Sequence, residues 1–357
     1  MSNSFNTIQN IEVDTSIEET VVYLLNAGLI GSGGGGSFTN PIAIGTNAGA
    51  ILQGDYAVAI GVSAGQNTQG TSSVAIGTFA GAGSQGSGAV TIGNYAGGTG
   101  QGENAIAIGI TAWLNSQGDN AVAIGTYAGS TGQRNRSVAI GNLAGQTKQG
   151  QVAVAIGSAA GNSTQGNSAV AIGYLAGQIT QGASAVAIGN SAGTNTQGAS
   201  AIAIGTGAGN STQGASAVAI GNSARTNTQG VYAVAIGYQA GNETQGSSAI
   251  AIGDNAGNIM QGENAVAVGQ NAGQNFQCSG AIATGVQSGQ NSQGTNAIAI
   301  GNLAGQNTQG TNAVAIGVNA GQVKDLLLLL LEIKQGKILK EFLQSLLEFK
   351  QDSNYKK

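Results

Sequence analysis

Residues 185–200 read AVAIGNSAGTNTQGAS, and residues 201–216 read AIAIGTGAGNSTQGAS. The glycine that closes the AVAIG motif recurs every sixteen residues from Gly45 to Gly317, without a slip, in eighteen copies. A fixed short period is the sequence signature of a stacked repeat architecture, in which each repeat contacts only its neighbours. We therefore predict one repeat array over residues 41–322, although 357 residues alone would suggest two globular domains.

The repeat has fixed and variable columns, which we number from the AVAIG glycine as position 0. Positions −4 to −1 read mainly alanine, valine or isoleucine, alanine, and isoleucine. Position +3 is alanine in all copies but one (Ser288), and position +4 is glycine in all but two (Trp113 and Arg225). Position +8 is glutamine in seventeen consecutive copies, from Gln53 to Gln309, whereas the remaining positions are mostly polar and variable.

This profile predicts an all-β fold, a parallel β-solenoid of about 18 sixteen-residue coils. AVAIG is typical of a strand, and the Ala-Gly and Gln-Gly pairs are typical of turns. A second short strand, at about positions +5 to +8, returns the chain, so each coil is flattened and has two strands. Coils that pair as parallel strands about 4.8 Å apart would give a rod of about 85 Å.

Side chains alternate between the two faces of a strand, and both faces of AVAIG are apolar. We expect valine and isoleucine at positions −3 and −1 to fill the coil. The alanines at −4 and −2 would then form a flat strip outside, through which chains associate, most plausibly as homotrimers. Glutamate in place of Ala203 and Ala219 should in that case yield monomers. The alternative is a monomeric rod that tolerates an exposed alanine face.

Two polar columns carry further hypotheses. The glutamines predict a ladder of amide hydrogen bonds along the stack. Threonine at position +7 recurs in six consecutive copies, and an ordered threonine rank could bind ice, although ordinary strand propensity explains the column better. These threonines are Thr164, Thr180, Thr196, Thr212, Thr228 and Thr244.

Catalytic and metal-binding signals are nearly absent, so we predict no enzyme, no catalytic residue, no metal and no cofactor. The chain has no histidine, and its one cysteine, Cys278, stands in a column that is otherwise mostly glycine. Acidic residues in the array are scattered singly, which is not how calcium ligands converge. Trp113 and Arg225 are interpreted as tolerated surface substitutions, with a local contact site as the alternative. Matches to the N-glycosylation sequon, interpreted as chance products of the repeat, begin at Asn135, Asn162, Asn210 and Asn242.

Charge lies mainly in the flanks of the array, and the net charge is only −4. Without a basic stripe, nucleic-acid binding has no electrostatic basis. Residues 1–40 predict a leader with one short helix and a glycine hinge, and residues 323–357 predict an amphipathic helix for capping or oligomerisation. We find neither a secretory signal nor an apolar run long enough to span a membrane.

The AVAIG copies resemble the head repeats of YadA-like trimeric autotransporter adhesins, whose motif has the form NSVAIG. The corresponding residues here are Asn104 to Gly109, Asn120 to Gly125 and Asn312 to Gly317. The resemblance covers residues 41–322 and implies a left-handed parallel β-roll, three chains side by side, and surface adhesion or display. Similar arrays occur in proteins of large DNA viruses and in phage fibres, and a virion or cell-surface location fits a chain without a recognisable signal peptide.

We therefore predict a non-enzymatic fibre, spike or surface protein that is rod-shaped and trimeric. The alternative is a binding rod whose variable positions contact a receptor, a glycan or ice. An enzyme is the third hypothesis, and it would need a histidine or acid constellation that the sequence lacks. Binding of the purified protein to cells, glycans or ice would separate the first two hypotheses.

Overall fold

The structure is a computed structural model that describes residues 41–321. The helices expected in residues 1–40 and 323–357 lie outside the described residues. The chain divides into two units, whose described parts are residues 41–185 and 186–321. Within residues 41–321 all regular structure is β, and there is no helix that could cross a membrane.

The first unit contains nine three-residue strands formed by the AVAIG motif, and consecutive strands pair in parallel. Each residue pairs with the residue sixteen positions later, as Ile42 does with Val58, so identical columns stack in register. In chain order these strands are Ile42–Ile44, Val58–Ile60, Val74–Ile76, Val90–Ile92, Ile106–Ile108, Val122–Ile124, Val138–Ile140, Val154–Ile156 and Val170–Ile172.

The second unit repeats the same arrangement with nine further AVAIG strands, again parallel and in register. These strands are Val186–Ile188, Ile202–Ile204, Val218–Ile220, Val234–Ile236, Ile250–Ile252, Val266–Val268, Ile282–Thr284, Ile298–Ile300 and Val314–Ile316. The last copy leaves the described residues before its glutamine position, so seventeen coils are complete. The parallel β-solenoid expected from the repeat is thereby confirmed.

A second strand, of two or three residues, ends at the glutamine of many coils, as expected from the sequence. In the first unit these strands are Thr99–Gln101, Asn115–Gln117, Thr164–Gln165 and Thr180–Gln181. In the second unit they are Thr196–Gln197, Thr212–Gln213, Thr228–Gln229, Thr244–Gln245, Ile259–Gln261, Asn275–Gln277 and Asn291–Gln293. In other coils the glutamine forms an isolated parallel bridge, as Gln53 does with Gln69.

The position 0 glycine is required by the close approach of consecutive coils. Gly125 has a φ of 126°, and a Cβ there would lie 2.6 Å from the carbonyl oxygen of Gly141. No L side chain fits that space, and few adopt that backbone conformation. Glycine in this column therefore allows the backbones to stack, which explains why the period never slips.

The two faces of the AVAIG strand are the reverse of what the sequence suggested. The alanines at −4, −2 and +3 are buried inside the coil, Ala203 and Ala219 among them, whereas valine and isoleucine at −3 and −1 are partly exposed. The expected outer alanine strip is therefore wrong. The reason is the thickness of the coil: the glutamine at +8 occupies the interior, and only small side chains leave room for it. A Cβ at Gly129, for example, would lie 2.7 Å from Gln133 Oε1 and 3.2 Å from Ala123 Cβ.

Candidate interaction surface and coil interior

The glutamine at position +8 joins the two sides of each coil. Gln133 Nε2 donates a hydrogen bond to the carbonyl oxygen of Val122 (2.8 Å), in the strand on the opposite side of the same coil. Gln245 makes the same bond to Val234 (2.7 Å). Because a buried polar group must be paired to avoid a desolvation penalty, this bond explains why glutamine is fixed in the column.

Most of the glutamines also bond to one another along the stack, which confirms the predicted ladder over those coils, whereas Oε1 of Gln69, Gln85, Gln101, Gln229 and Gln309 has no partner. In each bond Nε2 of one glutamine donates to Oε1 of the glutamine sixteen residues later. In the first unit the bonded pairs are 101–117, 117–133, 133–149, 149–165 and 165–181, at 3.0–3.2 Å. In the second unit they are 197–213, 229–245, 245–261, 261–277 and 277–293, at 3.0–3.1 Å.

Trp113 and Arg225, the two exceptions at position +4, are both fully buried. Their interpretation as surface substitutions is therefore wrong, and they cannot form an exposed contact site. Position +4 faces the glutamine, so a side chain there must enter the coil. Both residues keep the left-handed backbone of the glycine they replace, with φ values of 49° and 58°.

The valine and isoleucine side chains at −3 and −1 form what we call the outer apolar face of each unit. Ile236 and Ile252 are about a third exposed, at 36% and 37%. The nine strands of one unit, about 4.8 Å apart, make this face about 40 Å long and about 7 Å wide. An apolar strip of about 300 Å² reaches the size of the largest patch on a typical monomer, a patch that is often functional.

The variable columns lie outside the coil. The +7 threonines of the second unit (196, 212, 228 and 244) are exposed, and so is Cys278. The amide Nδ2 of Asn162, one of the sequon asparagines, donates to the carbonyl oxygen of Leu143 (3.0 Å), and that of Asn210 donates to Ser191 (3.2 Å). These two amides therefore take part in coil-to-coil hydrogen bonds.

The turn that follows position 0 presents the side chains at +1 and +2, which we call the turn tips. In the first unit the tips include Phe79 and Tyr95, whose rings stack with centroids 5.0 Å apart. Tyr95 and Tyr127 have φ values of 53° and 57°, in a region that bulky residues rarely adopt. In the second unit the same column is mainly polar, as at Asn255 and Asn271.

No group of three or more histidine, cysteine, aspartate or glutamate side chains that could hold a metal ion occurs in residues 41–321. The chemistry that these residues offer is apolar contact along the outer face and hydrogen bonding from the turns. Sequence reasoning missed the outer apolar face because it assigned the larger side chains to the interior. The glutamine column was the signal that could have corrected it, since a buried glutamine requires small neighbours.

Comparison with protein-family models identifies the class of repeat. The model of the YadA head domain repeat (two copies) matches residues 101–128, 116–144 and 213–240. The chain therefore contains YadA-like head repeats in both units, in agreement with the resemblance seen in the sequence. No curated protein and no solved structure matches the chain.

Proposed function

We propose that this chain is an adhesin-like fibrous surface protein without enzymatic activity, whose copies assemble side by side through the outer apolar face. The assembly would serve display or attachment at the surface of a virion or a cell. The observation that carries the proposal is the partial exposure of valine and isoleucine in every coil. A strand that is apolar on both faces is normally covered on both.

The repeat period favours a second copy of the chain as the partner. Apolar side chains recur once per coil, about 4.8 Å apart, and only a surface with the same spacing can meet all of them together. A parallel copy in coil-by-coil register has that spacing. Parallel chains arranged around a common axis form a closed cyclic assembly. The YadA-like resemblance favours three chains.

Light scattering on the full chain tests the assembly. We expect a trimer mass for the wild type and a monomer mass for the double variant Ile236→Glu/Ile252→Glu, because it buries carboxylates in an apolar interface. The matched control is Met260→Glu/Phe276→Glu, which alters residues of similar or greater exposure (53% and 52%) outside the outer apolar face. A monomeric wild type, or an isoleucine variant with unchanged mass, would contradict the proposal.

Attachment can be tested separately from assembly. Fluorescently labelled full chain should bind cultured cells or an immobilised glycan array, and the monomeric isoleucine variant should bind with lower avidity because it presents fewer copies. Assembly without binding to either surface would leave a display or coat role and remove the attachment role.

A binding rod is the second candidate, and the aromatic turn tips of the first unit favour it. Tyrosine at a positive φ costs about 1 kcal/mol relative to asparagine, which tolerates that conformation. Retaining Tyr95 and Tyr127 at that cost fits a contact role. The double variant Tyr95→Asn/Tyr127→Asn should therefore lose binding to cells or glycans while its unfolding midpoint stays the same or rises.

We also propose that residues 323–357 set the alignment of the chains or cap the array, on the strength of their amphipathic sequence. Deleting residues 324–357 should leave the β-sheet circular dichroism signal intact and should impair assembly or solubility. Unaltered assembly would show that the segment is dispensable.

A further inference from the structure

Trp113 and Arg225, the two buried exceptions at position +4, change the backbone hydrogen bonds of the residues that follow them in the same way. In the regular coil after Gly125, the amide of Thr131 alone bonds to the carbonyl oxygen of Gln146 (2.8 Å). After Trp113, the amides of residues 114 and 115 share the carbonyl oxygen of Ser130. After Arg225, the amides of residues 226 and 227 likewise share that of Asn242 (3.0 and 3.1 Å). A large side chain at +4 is therefore admitted by a local bulge of the following segment.

The coil interior around Arg225 does not provide hydrogen-bond acceptors for all the N–H groups of its guanidinium. Nη2 donates to the carbonyl oxygen of Thr212 (2.6 Å), whereas Nε and Nη1 have no partner among the described residues. Glu243, the nearest carboxylate along the sequence, is exposed and makes no ion pair with it within residues 41–321. Burial lowers the pKa of Arg225 to about 9. An unpaired buried charge is among the most costly features that a folded chain can hold.

The glutamine ladder is interrupted at the same coil. Between Gln197 and Gln293, the one consecutive pair without an amide-to-amide bond is Gln213 and Gln229, and Gln229 Oε1 has no partner. In the first unit the ladder passes Trp113 intact, through the bonds from Gln101 to Gln117 and from Gln117 to Gln133. The bond is also absent where Oε1 of Gln69, Gln85, Gln101 and Gln309 has no partner, but the interruption at Gln229 differs in being flanked by bonded pairs on both sides. The intact ladder at Trp113 shows that this interruption does not follow from the bulge alone.

We propose that the Arg225 coil is a built-in opening point of the second unit, where the stack separates by local unfolding before the other coils between Gln197 and Gln293. In a linear repeat stack, stability is the sum of coil terms and nearest-neighbour terms, so one weak neighbour pair decides where opening occurs. Here opening hydrates the guanidinium and loses no glutamine–glutamine bond. It also frees two strand edges, which are surfaces for pairing with another chain.

Hydrogen–deuterium exchange on the assembled full chain tests this inference. Backbone amides of residues 209–236 should exchange at least about tenfold faster than the equivalent amides of residues 257–284, since an unsatisfied charged group costs at least about 1.4 kcal/mol, the free energy to which a tenfold difference corresponds. Arg225→Gly restores the residue found at this position in sixteen of the eighteen copies, and it should remove the difference.

The reverse substitution is a matched test in which fast hydrogen exchange should be gained. Gly257→Arg places the same side chain in the same column of a regular coil and should create a second region of fast exchange, around residues 241–268. Equal exchange rates in the two wild-type regions, or an unchanged profile in Arg225→Gly, would overturn the inference. Because Arg225→Gly removes a buried charge, the test remains decisive even if Gly257→Arg does not fold.

Discussion

The coil of Trp113 in the first unit and the coil of Arg225 in the second both carry a large side chain at position +4. That side chain is uncharged and aromatic in the first unit and positively charged in the second. Both residues replace a position +4 glycine, both are fully buried, and both are followed by a bifurcated backbone hydrogen bond. Of these two coils, only that of Arg225 lacks the bond from the preceding glutamine. Trp113 Nε1 is also buried without a hydrogen-bond partner, so the charge and not an unpaired N–H group alone separates the two coils. The difference indicates that the fold absorbs a large side chain by moving its backbone, whereas it has no partner for a charge.

The largest expected effect comes from placing an arginine at position 113, so that the first unit carries the same buried charge as the second. Trp113→Arg should lower the free energy of unfolding of the first unit by about 4 kcal/mol, because it removes a buried indole and adds an unpaired buried charge. Trp113→Phe keeps the side chain apolar and should cost only about 1 kcal/mol. Urea denaturation followed by circular dichroism measures both. Equal losses in the two variants would mean that size decides stability and charge does not.

A glutamate in the ladder should behave differently in the two coils. In Gln117→Glu the carboxylate cannot donate to the carbonyl oxygen of Ile106 (2.9 Å), as Gln117 Nε2 does, and it is buried without a cation. We expect a loss of about 3 kcal/mol at pH 7, part of which returns when the carboxyl is protonated near pH 4.

In Gln229→Glu the new carboxylate lies in the coil of Arg225 and can offset its charge. The loss should be smaller than in Gln117→Glu by about 2 kcal/mol, because a paired buried charge costs less than an unpaired one. Urea midpoints of the two variants at pH 7 provide the measurement. Equal losses would show that Arg225 is already compensated in the folded chain.

Removing the charge while keeping the volume should stabilise the second unit. Arg225→Met fills the same space with an apolar side chain, and we expect a gain of about 2 kcal/mol in the free energy of unfolding. Arg225→Lys retains the charge and should give no comparable gain. A destabilised methionine variant would imply that the bond from Nη2 to Thr212 outweighs the buried charge.

Most of this fold could be predicted from the repeat. The exception was which face of the AVAIG strand packs inside the coil. The period requires that equivalent residues stack, so parallel pairing, the two turns and the glutamine ladder could all be inferred from the sequence. Periodicity does not say which face of a strand points inward. That choice depends on Gln133 and its equivalents, whose length fills the coil and leaves room only for small side chains such as that of Ala123.

The exceptions were harder to predict for a related reason. A tryptophan or an arginine in a glycine column suggests a tolerated surface position as long as the direction of that column is unknown. Once Gly129 is seen to face Gln133, the same substitution must be buried. A coil with only two strands has little interior. A single glutamine column therefore decides which face of the AVAIG strand points inward and whether a side chain at position +4 is buried.

The smallest expected effect is a dependence on alkaline pH that belongs to Arg225 alone. Burial lowers its pKa to about 9 in the folded chain, well below the ordinary value, so above pH 9 the unfolded chain holds a proton that the folded chain has released. The free energy of unfolding therefore rises with pH in that window, and the penalty of the buried charge is fully present only below it. Relative to Arg225→Met, the wild type should regain about 1.4 kcal/mol between pH 8 and pH 10. Because every other side chain is the same in the wild type and the variant, a constant difference in urea midpoint over this range would show that the buried guanidinium keeps its proton.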